Sequence, residues 1–200
     1  MLIAFGGAAC TTAETGKPVS SGDAPAVTTS DSADPTTTAT PTTSLPPRPK
    51  EIKLDSVEPC TLLTQPQLAE LKVTRTRARA STSEVYRGAK ECVLEASTAK
   101  SGYDYAVTAV TTEGAEAWLT GKRNVDAKAV SVAGYPAVRY NFKGASQANT
   151  FNCWTTVDVA QGQQLQVMFT VNLRDAFTLD QMCQMSEQAA TLAMATLTSR

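Results

Sequence analysis

Four cysteines, Cys60, Cys92, Cys153 and Cys183, are spread through residues 51–200, and the chain contains no histidine. No two of the four form a CxxC pair, and without histidine a structural zinc site would need cysteines and carboxylates alone. Well-spaced cysteines of this kind in a small domain are expected to form two disulfides, in an oxidising compartment. Three pairings are possible and spacing does not choose among them. The preferred one is Cys60–Cys92 with Cys153–Cys183, which would tie an N-terminal helix to the first strand and a hairpin to a C-terminal helix. Loops of this length contribute roughly 3.5–4 kcal/mol each in the chain-entropy account.

The missing histidine also removes the commonest general base and the commonest neutral metal ligand. Ser-His-Asp and Cys-His catalysis are excluded, and neither a metal site nor a cofactor is expected. A formal net charge of −1 gives no basic field for nucleic acid. Carboxylate chemistry remains, with Asp104 and Asp158 as candidates on strands. Alternation places each opposite its strand's apolar residues, where solvated carboxylates are ordinary.

The fifth cysteine, Cys10, stands apart. It follows Gly7, Ala8 and Ala9, small residues of the kind a signal peptidase accepts, and this step resembles a bacterial lipobox whose cysteine carries lipid. Gly7 stands where Leu, Val or Ile is usual. The apolar run Leu2–Phe5 is shorter than the roughly 7–15 residues of a secretory leader and has no basic residue before it. Residues 1–10 are therefore expected to be a truncated signal peptide, its true start upstream. From 11 to 49 the chain holds eleven threonines, with Ser, Pro and Ala filling most of the rest. Such a stretch cannot bury enough apolar area to offset its ordering entropy. Residues 11–50 are expected to form a disordered tether, roughly 35 Å long as a coil and about 120 Å when extended. No segment approaches the ~18 apolar residues of a membrane span, so a lipid on Cys10 would be the attachment to the membrane.

Residues 51–200 carry the periodic signals of a folded domain. Thr64 and Gln67 have capping-box spacing, with Pro66 in the first turn, and predict a helix over 65–71. The segment 74–90 is a loop or an edge strand, with Arg75, Arg77 and Arg79 on one face. Strands are expected around Cys92 and over 103–110. A short helix capped by Thr112 and ended by Gly121 would bury Trp118 and Leu119. Hairpins follow at Gly134-Tyr135-Pro136 and at Gln161-Gly162. Thr178 and Gln181 open a last helix whose stripe of Met182, Met185, Ala189, Leu192, Ala193 and Leu197 is read as core. The fold class is α+β: an antiparallel sheet of five to six strands with N-terminal, middle and C-terminal helices. Sheets of this kind often keep one face wet, and a partly uncovered face is the default ligand site. Tyr103, Tyr105 and Trp154 are the candidate wall of such a site.

The order of these features, VEPCTLL, a Pro-containing helix, a strand cysteine, GYPAVRY, CWTTVDV and a final helix with a cysteine, resembles the actinobacterial lipoproteins of the DUF3558 family. Glu58-Pro59-Cys60 replaces the usual Asp-Pro-Cys, and Cys92-Val93-Leu94 lacks the Trp of a Cys-x-Trp pattern. The layout is also similar to the disulfide-bonded extracellular sensor domains of some mycobacterial serine/threonine kinases. The resemblance implies lipidation of Cys10 and a place on the outer face of the cell membrane, and no activity. The expected function is a non-enzymatic, monomeric lipoprotein that binds an envelope ligand or protein. An adaptor docking on an envelope membrane protein and a carboxylate enzyme are the alternatives.

Overall fold

A period-two pattern in the central strands, broken by Ala106, Val110, Trp154 and Met168, underlies the architecture. The computed structural model describes residues 44–99, 101–146, 150–173 and 176–200. The leader at 1–10 with its Cys10, and the expected tether as far as residue 43, lie outside the described residues. Seven strands run in chain order: β1 Val73–Ala80, β2 Lys90–Ser97, β3 Gly102–Val110, β4 Val125–Val132, β5 Tyr135–Phe142, β6 Asn152–Ala160 and β7 Gln163–Val171. They form one sheet in the order β1-β2-β3-β7-β6-β5-β4, with every neighbouring pair antiparallel. The expected five to six strands are thus seven. The addition is β1, exposed along nearly its whole length and so without the apolar alternation that marks a strand in sequence.

One face of the sheet is covered. Tyr105, Val107, Cys153, Val157, Leu165, Val167 and Phe169 are all buried, beneath helix α2 at Leu179–Thr198. Ala189, Ala190 and Ala193 are fully buried on α2 and let its backbone lie close to the strands. The helix opens on a reciprocal cap. The Gln181 amide donates to Thr178 Oγ1 at 3.1 Å, and the Thr178 amide donates to Gln181 Oε1 at 2.8 Å, satisfying donors that a helix start leaves free. The N-terminal helix α1 spans Gln65–Glu70, one residue short of the expected range.

Both disulfides join the preferred partners, Cys60–Cys92 and Cys153–Cys183, each with a Cα–Cα separation of 5.0 Å. The first ties the 3-10 turn Pro59–Thr61 to β2, and the second ties β6 to α2. The β4–β5 turn is tighter than expected. Ala133 and Gly134 both have positive φ, at 50° and 79°, as a two-residue turn requires. Tyr135 and Pro136 therefore already belong to β5.

Two further expectations are corrected. The middle helix is only a 3-10 turn, Ala115–Leu119, with Gly114 rather than Thr112 before it. The carbonyls of Glu113 and Gly114, where an α-helix would begin, accept hydrogen bonds from Gln164 Nε2 at 3.1 and 3.2 Å. The folded part also begins before residue 51. Leu45 packs against a cluster that includes Trp118 and Tyr140, Arg48 pairs with Asp158, and the Ile52 amide donates to the Val159 carbonyl at 2.7 Å. This strap carries a single leucine among prolines and shows no periodicity, so composition alone gives no sign of its docking.

The Cys153–Cys183 bridge holds the sheet to the one long helix that covers it. Replacing both cysteines with serine is expected to lower unfolding free energy by about 2–4 kcal/mol, read from denaturant titration with the Cys60–Cys92 bridge intact. An unchanged midpoint would remove that role.

Candidate functional site

The face of the sheet away from α2 carries a second, smaller core built from Tyr86, Val110, Ala115, Trp118, Val125, Val138 and Tyr140. Tyr140 on β5 lies directly across from Trp154 on β6, and Trp154 across from Met168 on β7. The Tyr140 and Trp154 rings are parallel to within 3°, with centroids 5.3 Å apart. Trp118 stacks on Tyr140 at 3.8 Å. The Arg123 guanidinium lies 4.0 Å over the Trp118 ring, within range of a cation–π contact. Phe142 meets Trp154 edge to face at 5.2 Å.

These rings frame a cavity of about 280 Å³, closed on its other sides by Ser83, Val85, Tyr86, Asn124 and Gln166. Val85 and Phe142 on its wall are 50% and 55% exposed. Wall residues this apolar and this open to water are characteristic of ligand pockets and interaction patches.

A buried polar network holds the Trp118 turn and the Tyr86 loop over the sheet. Gln164 is fully buried. Its Nε2 donates to Tyr86 Oη at 2.9 Å as well as to the carbonyls of Glu113 and Gly114, and its Oε1 accepts from Trp118 Nε1 at 3.0 Å and from Thr156 Oγ1. Tyr86 Oη donates to Glu113 Oε2 at 2.6 Å, and Glu113 takes a two-pronged bond from Arg123 Nη2 at 2.6 and 2.8 Å. Burial, reinforced by the Glu113 bond, raises the Tyr86 phenol pKa. Burial likewise raises Tyr140, so both phenols stay protonated, Tyr140 Oη accepting from Gln166 Nε2.

A second cavity, of about 360 Å³, lies where the N-terminal strap crosses the sheet and is lined by Ser44–Arg48, Glu116, Asp158, Gln161 and Gly162. Arg48 Nη1 reaches both Asp158 oxygens at 3.0 Å. Burial pushes the Asp158 carboxyl up to about 6, Arg48 opposing this while Glu116 and Glu51 add to it.

The structure separates the candidate wall residues. Trp154 stands in the aromatic pocket. Tyr103 and Tyr105 lie on the other face, buried under α2 in a ring cluster with Phe169 and Phe177. Tyr105 pairs across the sheet with Phe169, and Phe169 with Cys153, so these three share a face from which Trp154, the residue after Cys153, points away. Asp104 and Asp158 are not brought together. Asp158 pairs with Gln164, and Gln164 with Val110, roughly 20 Å along β3 from Asp104 at ~3.3 Å per residue. Arg75 and Arg79 pair with Glu95 and Glu91 at 2.8 and 2.6 Å, as an edge strand guarded by charge would. Sequence reasoning missed Tyr86, Arg123 and Gln164 as parts of the site. The sequence marks Trp118 only as buried; pairing register brings Tyr140, and loop path Trp118, to Trp154.

Among the described residues no group of three or more Cys, Asp or Glu is placed to hold a metal ion. No helix among them is long and apolar enough to cross a membrane. A family model, DUF3558, described as a protein of unknown function, matches residues 6–196. No curated protein and no solved structure matches the chain.

Gln164→Ala is expected to leave Trp118 Nε1 and Thr156 Oγ1 without their acceptor, lowering stability by about 2–4 kcal/mol. Both tryptophans of the chain lie in this pocket, so the emission maximum should also move to the red. Unchanged emission would dissociate Gln164 from the pocket. Asp158 supplies a pH signature of unusual sign. Its folded-state pKa lies above the ordinary carboxylate value, so its ionisation opposes folding, and its contribution to stability rises as pH falls from 7 through 6 towards 4. Denaturant midpoints at pH 7 and 4.5 should therefore shift upward on acidification more in the native chain than in Asp158→Asn, by of order 2 kcal/mol. Equal shifts would contradict the assignment.

Proposed function

The chain belongs to the DUF3558 family, a family of unknown function, and from that premise we propose that it is a non-enzymatic lipoprotein that binds a small ligand in the aromatic pocket around Trp154. On this reading a lipid on Cys10 holds it at the outer face of the cell membrane. The observation that carries the ligand reading is the pocket itself. Five aromatic side chains converge there on a preformed cavity whose wall residues Val85 and Phe142 stay open to water. The anchor reading rests on Gly7-Ala8-Ala9-Cys10 and the Thr/Pro-rich stretch after it. It draws support from the two disulfides, which use the other four cysteines and suit an oxidising compartment.

The exposed Val85 and Phe142 also favour a second reading, in which the same face docks on an envelope membrane protein as an adaptor. A carboxylate enzyme gains nothing from the geometry, because Asp158 is engaged by Arg48 and Asp104 lies far along the sheet from it.

Two measurements test the reading. Mass spectrometry of the protein from its own cells should find an acylated Cys10 at the mature N-terminus. An unmodified Met1 with reduced cysteines would contradict the compartment. Small molecules co-purifying with the native protein should lose about tenfold in affinity for Trp154→Ala with the unfolding midpoint nearly unchanged. Full retention by that variant would move the site elsewhere.

A further inference from the structure

Beside the aromatic cavity, on the same open face, lies another of about 250 Å³, and the two share Ser83, Trp154 and Gln166. Each is smaller than the ~300–1,000 Å³ of an ordinary small-molecule site, and together they fall within that range. Trp154 stands between the two, with Ser83 and Gln166. Its two sides differ in chemistry. Towards β5 the wall is Trp118, Tyr140 and Phe142. Towards β1 it is Arg79, Ser81, Glu91 and Thr108. The Gln166 amide borders both, its Nε2 donating to Tyr140 Oη at 2.8 Å.

The groove's charges are neutralised within the protein. Arg79 Nε donates to Glu91 Oε1 at 2.6 Å, and the other Glu91 oxygen accepts from Thr108 Oγ1 at 3.1 Å. On the aromatic side Arg123 is held by Glu113. A phosphate or carboxylate ligand would meet guanidinium groups already neutralised by Glu91 and Glu113, and an ammonium would meet carboxylates already neutralised by Arg79 and Arg123, so the groove offers no net charge to select either. An acyl chain would have to bury the hydroxyls and carboxylate of the β1 side without returning their hydrogen bonds. The remaining match is an uncharged ligand with an apolar face and a rim of hydroxyls. A pyranose ring has that character. The C–H bonds of one face carry partial positive charge and seat on the electron-rich face of an indole or phenol. Its hydroxyls both donate and accept, as the amide, hydroxyl and carboxylate groups of the β1 side require.

We propose that the open face binds a neutral oligosaccharide along this groove, one sugar stacking in the aromatic half and the next engaging Gln166, Thr108 and the Arg79–Glu91 pair across Trp154. The proposal rests on the ligand reading of the pocket and is independent of the lipid on Cys10.

The test titrates the full chain with cellohexaose, maltohexaose and chitohexaose, with a proline-rich decapeptide and the uncharged apolar dye Nile red alongside. The chain's two tryptophans make emission a direct report of the groove, and calorimetry serves for the variants. At least one hexasaccharide should shift emission, bind about tenfold more weakly to Trp154→Ala, and weaken also with Gln166→Ala, whose effect guards against misfolding of the first variant. The proposal is overturned if no hexasaccharide binds at about 10 mM, enough to saturate a site of ~1 mM affinity, or if binding survives both substitutions. Binding of the peptide alone overturns it too, in favour of an aromatic groove for extended proline segments. Dye binding that Trp154→Ala abolishes, with no sugar bound, rejects the sugar and leaves the pocket. Failure of both rejects the pocket as well.

Discussion

The buried side-chain amide of Gln164 holds the open face in the form on which the site depends. Its two donors and its acceptor oxygen meet Tyr86, the carbonyls of Glu113 and Gly114, Trp118 and Thr156. A fully satisfied polar group at a site this dry is costly to disturb and strongly orienting. It ties the start of the Ala115–Leu119 turn to β7, and its bond to the Trp118 indole N–H accompanies the stacking of that ring on Tyr140. It also holds the Tyr86–Glu113–Arg123 cluster that places a guanidinium over that indole. Without the amide the two loops would keep only the Tyr86–Glu113–Arg123 cluster and ring packing to seat them over the sheet.

The two faces of one sheet are covered in different ways. The α2 face is closed by apolar packing and by the Cys153–Cys183 bridge. One residue beyond Cys153 the backbone turns Trp154 to the opposite side, where loops rather than a helix cover the strands and leave a groove. The strap from Ser44 crosses the end of that same face, its Arg48 pinned to Asp158. The segment leading into the domain thus touches the turn that carries Trp118.

Much of this was legible in the sequence where local signals are strong. The capping boxes at Thr64 and Thr178, the alternation through Cys153–Val159 and the Gly162 turn each specify their element through nearest neighbours. The preferred disulfide pairing joined cysteines that proved to be neighbours. Strand β1 was ambiguous because its alternation is of arginine and small polar residues. The strap at 44–50 was hidden because a proline-rich run looks the same whether docked or free. Tyr103 and Tyr105 were grouped with Trp154 because all three are strand aromatics. Only pairing register shows that Tyr105 shares a face with Cys153, and therefore not with Trp154. The polar network was out of reach for the same reason, since it joins side chains from four separate stretches of chain.

The central claim is that ligand meets this protein on the open face, at the two tryptophans, and not at the helix-covered face or the sheet edges. Nuclear magnetic resonance of the ¹⁵N-labelled chain, with an envelope extract of its own cells added, reads this directly. Both indole N–H signals and the backbone amides of Tyr140, Phe142 and Gln166 should shift together while those of α2 stay in place. Shifts confined to α2, or to the edge strands β1 and β4 with both indoles unmoved, would contradict it.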